Sequence, residues 1–88
     1  MFRACKEMVL LRIWLWLHRV EYIDTSDYIA CRTWFMYRGK EISVINGLGT
    51  TGGLIGLTNA GFLEMMIENR KPKGWLTAKD VVKEIKNL

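Results

Sequence analysis

Three glycines spaced as Gly47-x-Gly49-x-x-Gly52 form the motif with the most chemical meaning in this sequence. In dinucleotide-binding proteins, glycines at this spacing allow a tight turn and let a pyrophosphate approach the start of a helix. The surrounding pattern does not suit such a unit, because the preceding strand is predicted to return from a hairpin and no second parallel strand follows. A Gly-Lys-Ser/Thr sequence, as in a P-loop, is also missing. The spacing alone therefore does not predict a Rossmann or P-loop site.

The same segment can form a simpler anion site. Successive backbone N–H groups of a glycine-rich loop make a concave nest for an anion, and neighbouring hydroxyls add donors. The residues of this predicted site are Gly47, Gly49, Thr50, Thr51, Gly52 and Gly53. We expect a phosphate-bearing small molecule, such as a nucleotide, as its ligand. The alternative is a plain connector, or a loop whose glycines let the backbone of a partner approach.

The excess positive charge of the chain lies at one end. The chain has 88 residues and a net charge of +4, yet residues 1–69 contain as many acidic as basic residues. The basic residues of the last segment are Arg70, Lys71, Lys73, Lys79, Lys83 and Lys86. Such a segment can bind an acidic protein surface or nucleic acid, or it can simply keep an apolar protein dissolved. Trp75 lies among these residues, either as a core anchor or as a platform for an unpaired base.

Residues for catalysis or metal binding are sparse. Cys5, His18 and Cys31 are the candidate soft ligands, and they lack the paired spacing of a zinc site. His18 is the only histidine, and neither Ser26 nor Ser43 belongs to a recognisable nucleophile motif. We therefore expect no catalytic residues, no metal and no cofactor. Two cysteines make no disulfide framework, so we expect a reducing cytoplasm.

The composition predicts a folded, self-associating single domain over residues 1–88. Half of the residues are hydrophobic and a quarter are charged, which excludes a disordered chain. The length excludes a complete dinucleotide-binding enzyme or barrel. So many apolar residues exceed what a small domain can bury, and we expect a homo-oligomer, most simply a dimer. The predicted interface contains Trp14, Trp16, Trp34 and Met36.

The N-terminal segment predicts a helix from about Arg3 to about Val20. Its centre is apolar on all sides, which is typical of a helix buried in the protein or in a partner. A long buried strand is the alternative. We do not expect a membrane span, because Arg12 interrupts the apolar run and the uninterrupted stretches are short. Trp14 and Trp16 leave open a helix lying at a membrane surface.

The middle of the chain predicts an antiparallel β-hairpin over about 28–46. A type II′ turn with Gly39 and Lys40 at its centre would pair Arg38 with Glu41. Residues that alternate along these strands give two apolar faces. The predicted inner face carries Cys31, Phe35, Tyr37, Ile42 and Val44, and the other carries Trp34, Met36 and Ile45. Since both faces need cover, a second subunit is expected on one face or at a sheet edge.

Two helices are predicted after the glycine-rich loop. The first covers Ala60 to Asn69, ends before Pro72, and buries Phe62, Leu63, Met66 and Ile67. The second begins with a capping box between Thr77 and Asp80, and Leu76 packs against Val81. Its outer side carries a lysine stripe.

These elements predict an α+β fold with an apolar N-terminal helix, a hairpin, a glycine-rich loop and two C-terminal helices. The expected function is that of a small non-catalytic binding protein, acting as a sponge, inhibitor or accessory regulator, with its ligand at the glycine-rich loop. The alternative is an interaction module that docks on an acidic protein or on nucleic acid through residues 70–86.

Overall fold

The described residues form a five-stranded antiparallel sheet covered on one face by two helices. The computed structural model describes residues 6–25, 30–47 and 62–88. In chain order the elements are α1 (Lys6–Leu17), β1 (Tyr22–Asp24), β2 (Ala30–Tyr37), β3 (Lys40–Gly47), β4 (Leu63–Ile67), β5 (Lys73–Leu76) and α2 (Ala78–Lys86). The strands follow one another across the sheet in sequence order, each antiparallel to the next.

The alternation of side chains along the strands places the core between the sheet and the helices. Every second residue of β2, β3 and β4 is buried, and α1 and α2 pack over this inner face. The core consists of Met8, Leu11, Leu15, Cys31, Phe35, Ile42, Val44, Leu63, Met65, Ile67, Ala78, Val81 and Ile85. No described part of either helix covers the opposite face of the sheet, which we call the open sheet face.

The predicted fold class is wrong in its balance of sheet and helix. The expectation was a two-stranded hairpin with three helices, whereas the described residues form five strands and two helices. The main error lies between the glycine-rich loop and Pro72. There the chain forms β4, in which Leu63, Met65 and Ile67 are buried while Met66 is exposed. Leu, Glu and Met favour helices, but the period-2 burial that completes the sheet overrides this propensity.

The predicted N-terminal helix, buried on all sides from Arg3 to Val20, is also wrong. Among the described residues the helix covers Lys6–Leu17 and buries one side only. It ends in a Schellman motif, in which Val20 N–H donates to Leu15 O at 2.8 Å and Arg19 N–H to Trp16 O at 3.1 Å. Arg19 takes the left-handed conformation that glycine usually supplies there. The helix end therefore has no glycine signal in the sequence.

The hairpin is present, but its register differs from the predicted one by two residues. Tyr37 pairs with Lys40 and Phe35 with Ile42. The turn residues are therefore Arg38 and Gly39, both with positive φ, as a type I′ turn requires. A shift of two residues keeps every side chain on its predicted face. The inner and outer faces of the hairpin are thus as expected.

The start of α2 confirms its sequence signals. Thr77 Oγ1 accepts from the Asp80 N–H at 3.2 Å, and the Asp80 carboxylate accepts from the Thr77 N–H at 3.0 Å. Leu76 is half-buried against the core that contains Val81. No helix within the described residues is long and apolar enough to cross a membrane.

Candidate functional site

The predicted phosphate site is described at one residue only. Gly47 is the last residue of β3 and pairs with Ala30. Gly49, Thr50, Thr51, Gly52 and Gly53 lie outside the described residues, so a phosphate-bearing ligand there stays a prediction. The register places Gly47 at the end of the sheet where β4 begins, while Arg70 and Lys71 follow the other end of β4. Arg70 and Lys71 therefore lie at the end of the sheet opposite Gly47.

The six predicted basic residues form two separate groups. Arg70, Lys71 and Lys73 line a small cavity of about 120 Å³ beside the last turn of α2. Lys73 Nζ pairs there with the Glu84 carboxylate at 2.9 Å. The Glu84 carboxylate offsets the charge of Lys73, so Arg70 and Lys71 supply the positive charge of this cavity.

The second group is the lysine stripe, which consists of Lys79, Lys83 and Lys86 on the exposed side of α2. Two contacts fix its position next to α1. At the start of both helices, the Ala78 N–H donates to Glu7 Oε1 at 2.8 Å. Further along both, Lys86 Nζ lies 6.0 Å from the centre of the Trp14 ring. The two helices therefore run side by side in the same direction, with the lysine stripe along α1.

The side of α1 that faces away from the sheet is apolar. Its exposed residues, which we call the outer helix stripe, are Val9, Leu10, Ile13, Trp16 and Leu17. Trp16 is 74% exposed, an unusual state for so large an apolar side chain. Contiguous exposed apolar surface in a small protein commonly marks an interaction site. The outer helix stripe and the lysine stripe together form one surface, which we call the helix surface.

The carboxylates of α1 and α2 are engaged within the protein. Glu7 accepts from Ala78, Glu84 pairs with Lys73, and Asp80 completes the capping box. The hydrogen bond from the Thr77 N–H, followed by that from the Thr77 hydroxyl, lowers the pKa of Asp80 below its ordinary value of 3.8. Lys79 and Lys83 lower the pKa of Asp80 further, so Asp80 supplies part of the counter-charge of the lysine stripe.

Arg12 holds α1 to the sheet beneath the helix surface. Its Nε donates to Thr33 Oγ1 at 2.8 Å, and its Nη2 donates to Arg32 O at 3.0 Å. Nη2 also lies 3.3 Å from the Asp24 carboxylate. The Thr33 hydroxyl in turn donates to Met8 Sδ at 3.1 Å, so this buried polar group is satisfied. From the sequence, Arg12 was only an interruption in an apolar run, and its partners more than ten residues away left no local signal.

The open sheet face combines apolar residues with charges of both signs. Its apolar residues are Ile23, Trp34, Met36, Ile45, Phe62, Met66 and Trp75. Its charged residues include Arg32, Glu41 and Glu64. A shallow recess of about 290 Å³ lies between Trp34, Ser43 and Met66. This face is the second candidate interaction surface.

Trp75 is not the core anchor that its neighbourhood indicated. It is 64% exposed, has a positive φ, and contacts Phe62 with ring centres 5.5 Å apart. The pairing of β4 with β5 is irregular between Leu63 and Met65, so β5 has a bulge-like distortion.

The four residues of the predicted oligomer interface do not share one surface. Trp14 is half-buried, stacks on His18 and approaches Tyr37. Trp16 lies on the helix surface, whereas Trp34 and Met36 lie on the open sheet face, on the other side of the molecule. A single interface cannot contain all four residues.

The described residues assemble no group of metal ligands. The thiol of Cys31 is free and buried, and His18 Nδ1 lies 2.9 Å from Trp14 O in its own helix. Within 6–25, 30–47 and 62–88, no three His, Cys, Asp or Glu residues are placed to hold a metal ion. Comparisons with protein families, curated proteins and solved structures give no match to this chain.

Proposed function

We propose that this protein is an interaction module whose helix surface binds an acidic amphipathic segment of another protein. The observation that carries the proposal is the parallel packing of α1 and α2, which sets an apolar stripe beside a stripe of three lysines. An amphipathic acidic helix offers both complements, an apolar side for α1 and carboxylates for the lysines. We also propose a cytoplasmic location, which the free thiol of Cys31 supports.

The apolar stripe favours a protein over nucleic acid. A phosphate backbone would use the lysines but would leave Leu10, Ile13 and Leu17 exposed to water. Electrostatic attraction speeds and orients the encounter, and burial of the apolar stripe supplies affinity. Binding therefore requires both stripes at once.

The test uses two synthetic peptides of identical composition. One places leucines along one side of a helix with glutamates on the other, and the second scrambles that order. We expect the patterned peptide to bind more tightly than the scrambled one, with a blue shift of tryptophan emission that is absent in a Trp16→Phe variant. Equal binding of both peptides, or binding of neither, contradicts the proposal.

Matched variants separate the helix surface from general positive charge. Lys79→Glu with Lys83→Glu should weaken binding of the patterned peptide by at least about tenfold. Arg70→Glu with Lys71→Glu changes the net charge equally and should leave affinity within about threefold, because these residues lie at the sheet end. Ile13→Glu should also remove binding. Duplex DNA or vesicles with anionic lipid, if bound more tightly than the patterned peptide, would overturn the protein assignment.

A further inference from the structure

We infer that the open sheet face binds a second copy of this chain, with the two sheets face to face and a two-fold axis parallel to β3. This surface lies on the other side of the molecule from the helix surface. The inference is therefore independent of the proposed function.

The position of opposite charges across β3 supports a second copy. Arg32 on β2, Ile45 on β3 and Glu64 on β4 form one row across the sheet. A rotation of 180° about an axis along β3 places β2 of one copy against β4 of the other. Arg32 then faces Glu64 of the second copy twice, once on each side of the axis. The same symmetry that forms one of these contacts forms the other.

The same rotation also brings apolar residues of the two copies together. In the next row of the open sheet face, Trp34 pairs across Ser43 with Met66. The rotation sets Trp34 against Met66 of the second copy, while Ile45 meets its own counterpart on the axis. Sulfur–aromatic contacts of this type are favourable. Trp34, Ile45 and Met66 of one copy therefore cover the same three residues of the other.

Glu41 also lies on β3, close to the axis. Its Oε1 accepts from Trp34 Nε1 at 3.0 Å, which draws the carboxylate toward β2. The two-fold rotation moves the second carboxylate in the opposite direction. The pair is thereby separated at the rim of the interface, where water screens it.

The sheet edges are less suited to self-association than the open sheet face. β1 has three residues, and the pairing of β5 is irregular next to Trp75 with its positive φ. Short or distorted edge strands resist pairing with another chain. Five strands about 4.8 Å apart, with an average length of about 19 Å, give a face of roughly 450 Å² per copy. Two copies bury about 900 Å², the size of a weak or transient interface, so we expect a weak dimer.

The test is sedimentation velocity on two charge-reversal variants, alone and mixed. Arg32→Glu alone and Glu64→Arg alone each place like charges together, and each should weaken the dimer by at least about tenfold. In an equimolar mixture both contacts are again of opposite sign, so heterodimers should form with an affinity close to that of the unmodified protein. Lys79→Glu with Lys83→Glu, on the helix surface, should leave the dimer intact.

Three outcomes contradict the inference: an unmodified protein that stays monomeric up to hundreds of micromolar, single variants that still dimerise, or a mixture that stays monomeric. Circular dichroism confirms that each variant is folded. Should one fail to fold, Ile45→Glu places two carboxylates on the axis and should give the monomer by an independent change. A dimer that survives Ile45→Glu also overturns the inference.

Discussion

The helix surface and the open sheet face are both apolar, and they differ in their charges. The helix surface combines five exposed apolar side chains with three lysines, while the nearby carboxylates Glu7, Asp80 and Glu84 are engaged inside the protein. The open sheet face carries Arg32 and Glu64 at corresponding positions on either side of β3. A surface of one sign requires a different molecule, whereas a surface that carries opposite signs at symmetric positions can bind its own copy.

Under the two proposals, the surfaces have complementary roles in one assembly. A dimer joined through its open sheet faces directs the two helix surfaces to opposite outer sides. Such a dimer would bind two acidic segments, and a partner with two such segments would gain avidity where its linker spans the dimer. The predictions below separate the two surfaces, in order of decreasing effect.

The largest expected effect comes from Arg12, because both surfaces depend on the attachment of α1 to the sheet. Arg12→Ala removes charge-assisted hydrogen bonds to Thr33, Arg32 and Asp24. We expect a loss of about 2–3 kcal/mol in the free energy of unfolding, measured by urea titration. Arg12→Lys keeps the charge but loses the planar fork, so it should recover only part of that loss.

An exposed ion pair is the control for this effect. Lys40 and Glu68 lie 3.6 Å apart, and both side chains are about two-fifths exposed. Lys40→Ala should change the free energy of unfolding by less than about 0.5 kcal/mol. Equal effects of the Arg12 and Lys40 variants would show that Arg12 does not anchor α1.

The next largest effect should come from ionic strength, which should change the affinities of the two surfaces by different amounts. Raising salt from about 0.05 M to about 0.5 M screens exposed charges. Affinity of the helix surface for the patterned acidic peptide should fall by about tenfold, because three lysines lie along its edge. The dimer should weaken by no more than about threefold, since its charges flank an apolar centre. Titration calorimetry and sedimentation measure the two affinities, and equal salt dependence would contradict the distinction.

The sequence predicts those features of the two surfaces that depend on interactions between residues close in the chain. The capping box of α2 and its lysine stripe depend on residues a few positions apart, and the sequence predicts both. The assignment of the hairpin side chains to the two faces of the sheet also follows from their alternation along the strands. The placement of the lysine stripe beside α1 depends on Glu7 and Ala78, which are 71 positions apart. No local pattern contains that contact.

The strand conformation of β4 is a second feature that the sequence does not predict. Leu-Glu-Met-Met-Ile has the propensity of a helix, and its strand conformation is decided by pairing with β3. Without β4, Glu64 and Met66 have no defined position opposite Arg32 and Trp34. The open sheet face is therefore a product of tertiary structure, and the sequence predicts only its hairpin part, in Trp34, Met36 and Ile45.

The cap of α2 should affect the helix surface more than the dimer. Thr77→Ala removes the hydroxyl that accepts from the Asp80 N–H, and we expect a loss of about 1 kcal/mol in the free energy of unfolding. Thr77→Ser keeps the hydroxyl and should lose much less. Hydrogen exchange at the first turn of α2 should increase in the alanine variant, while the dimer affinity stays unchanged. A weakened dimer would mean that the two surfaces are coupled through the core.

The smallest expected effect is the titration of Asp80. Because its pKa is lower in the folded protein than the ordinary 3.8, folding favours the carboxylate over the carboxylic acid. Its contribution to stability is therefore complete above the ordinary value and is lost as the pH falls through the lower folded value. Asp80→Asn cannot titrate, so the difference in melting temperature between it and the unmodified protein should narrow as the pH falls through that window. Carboxyl NMR should show the pKa of Asp80 below 3.8 and, in Thr77→Ala, closer to 3.8, because one of the two hydrogen bonds that lower it is gone. A value at or above 3.8 in the unmodified protein would mean that the capping box does not hold the start of α2, and with it the first lysine of the stripe, in solution.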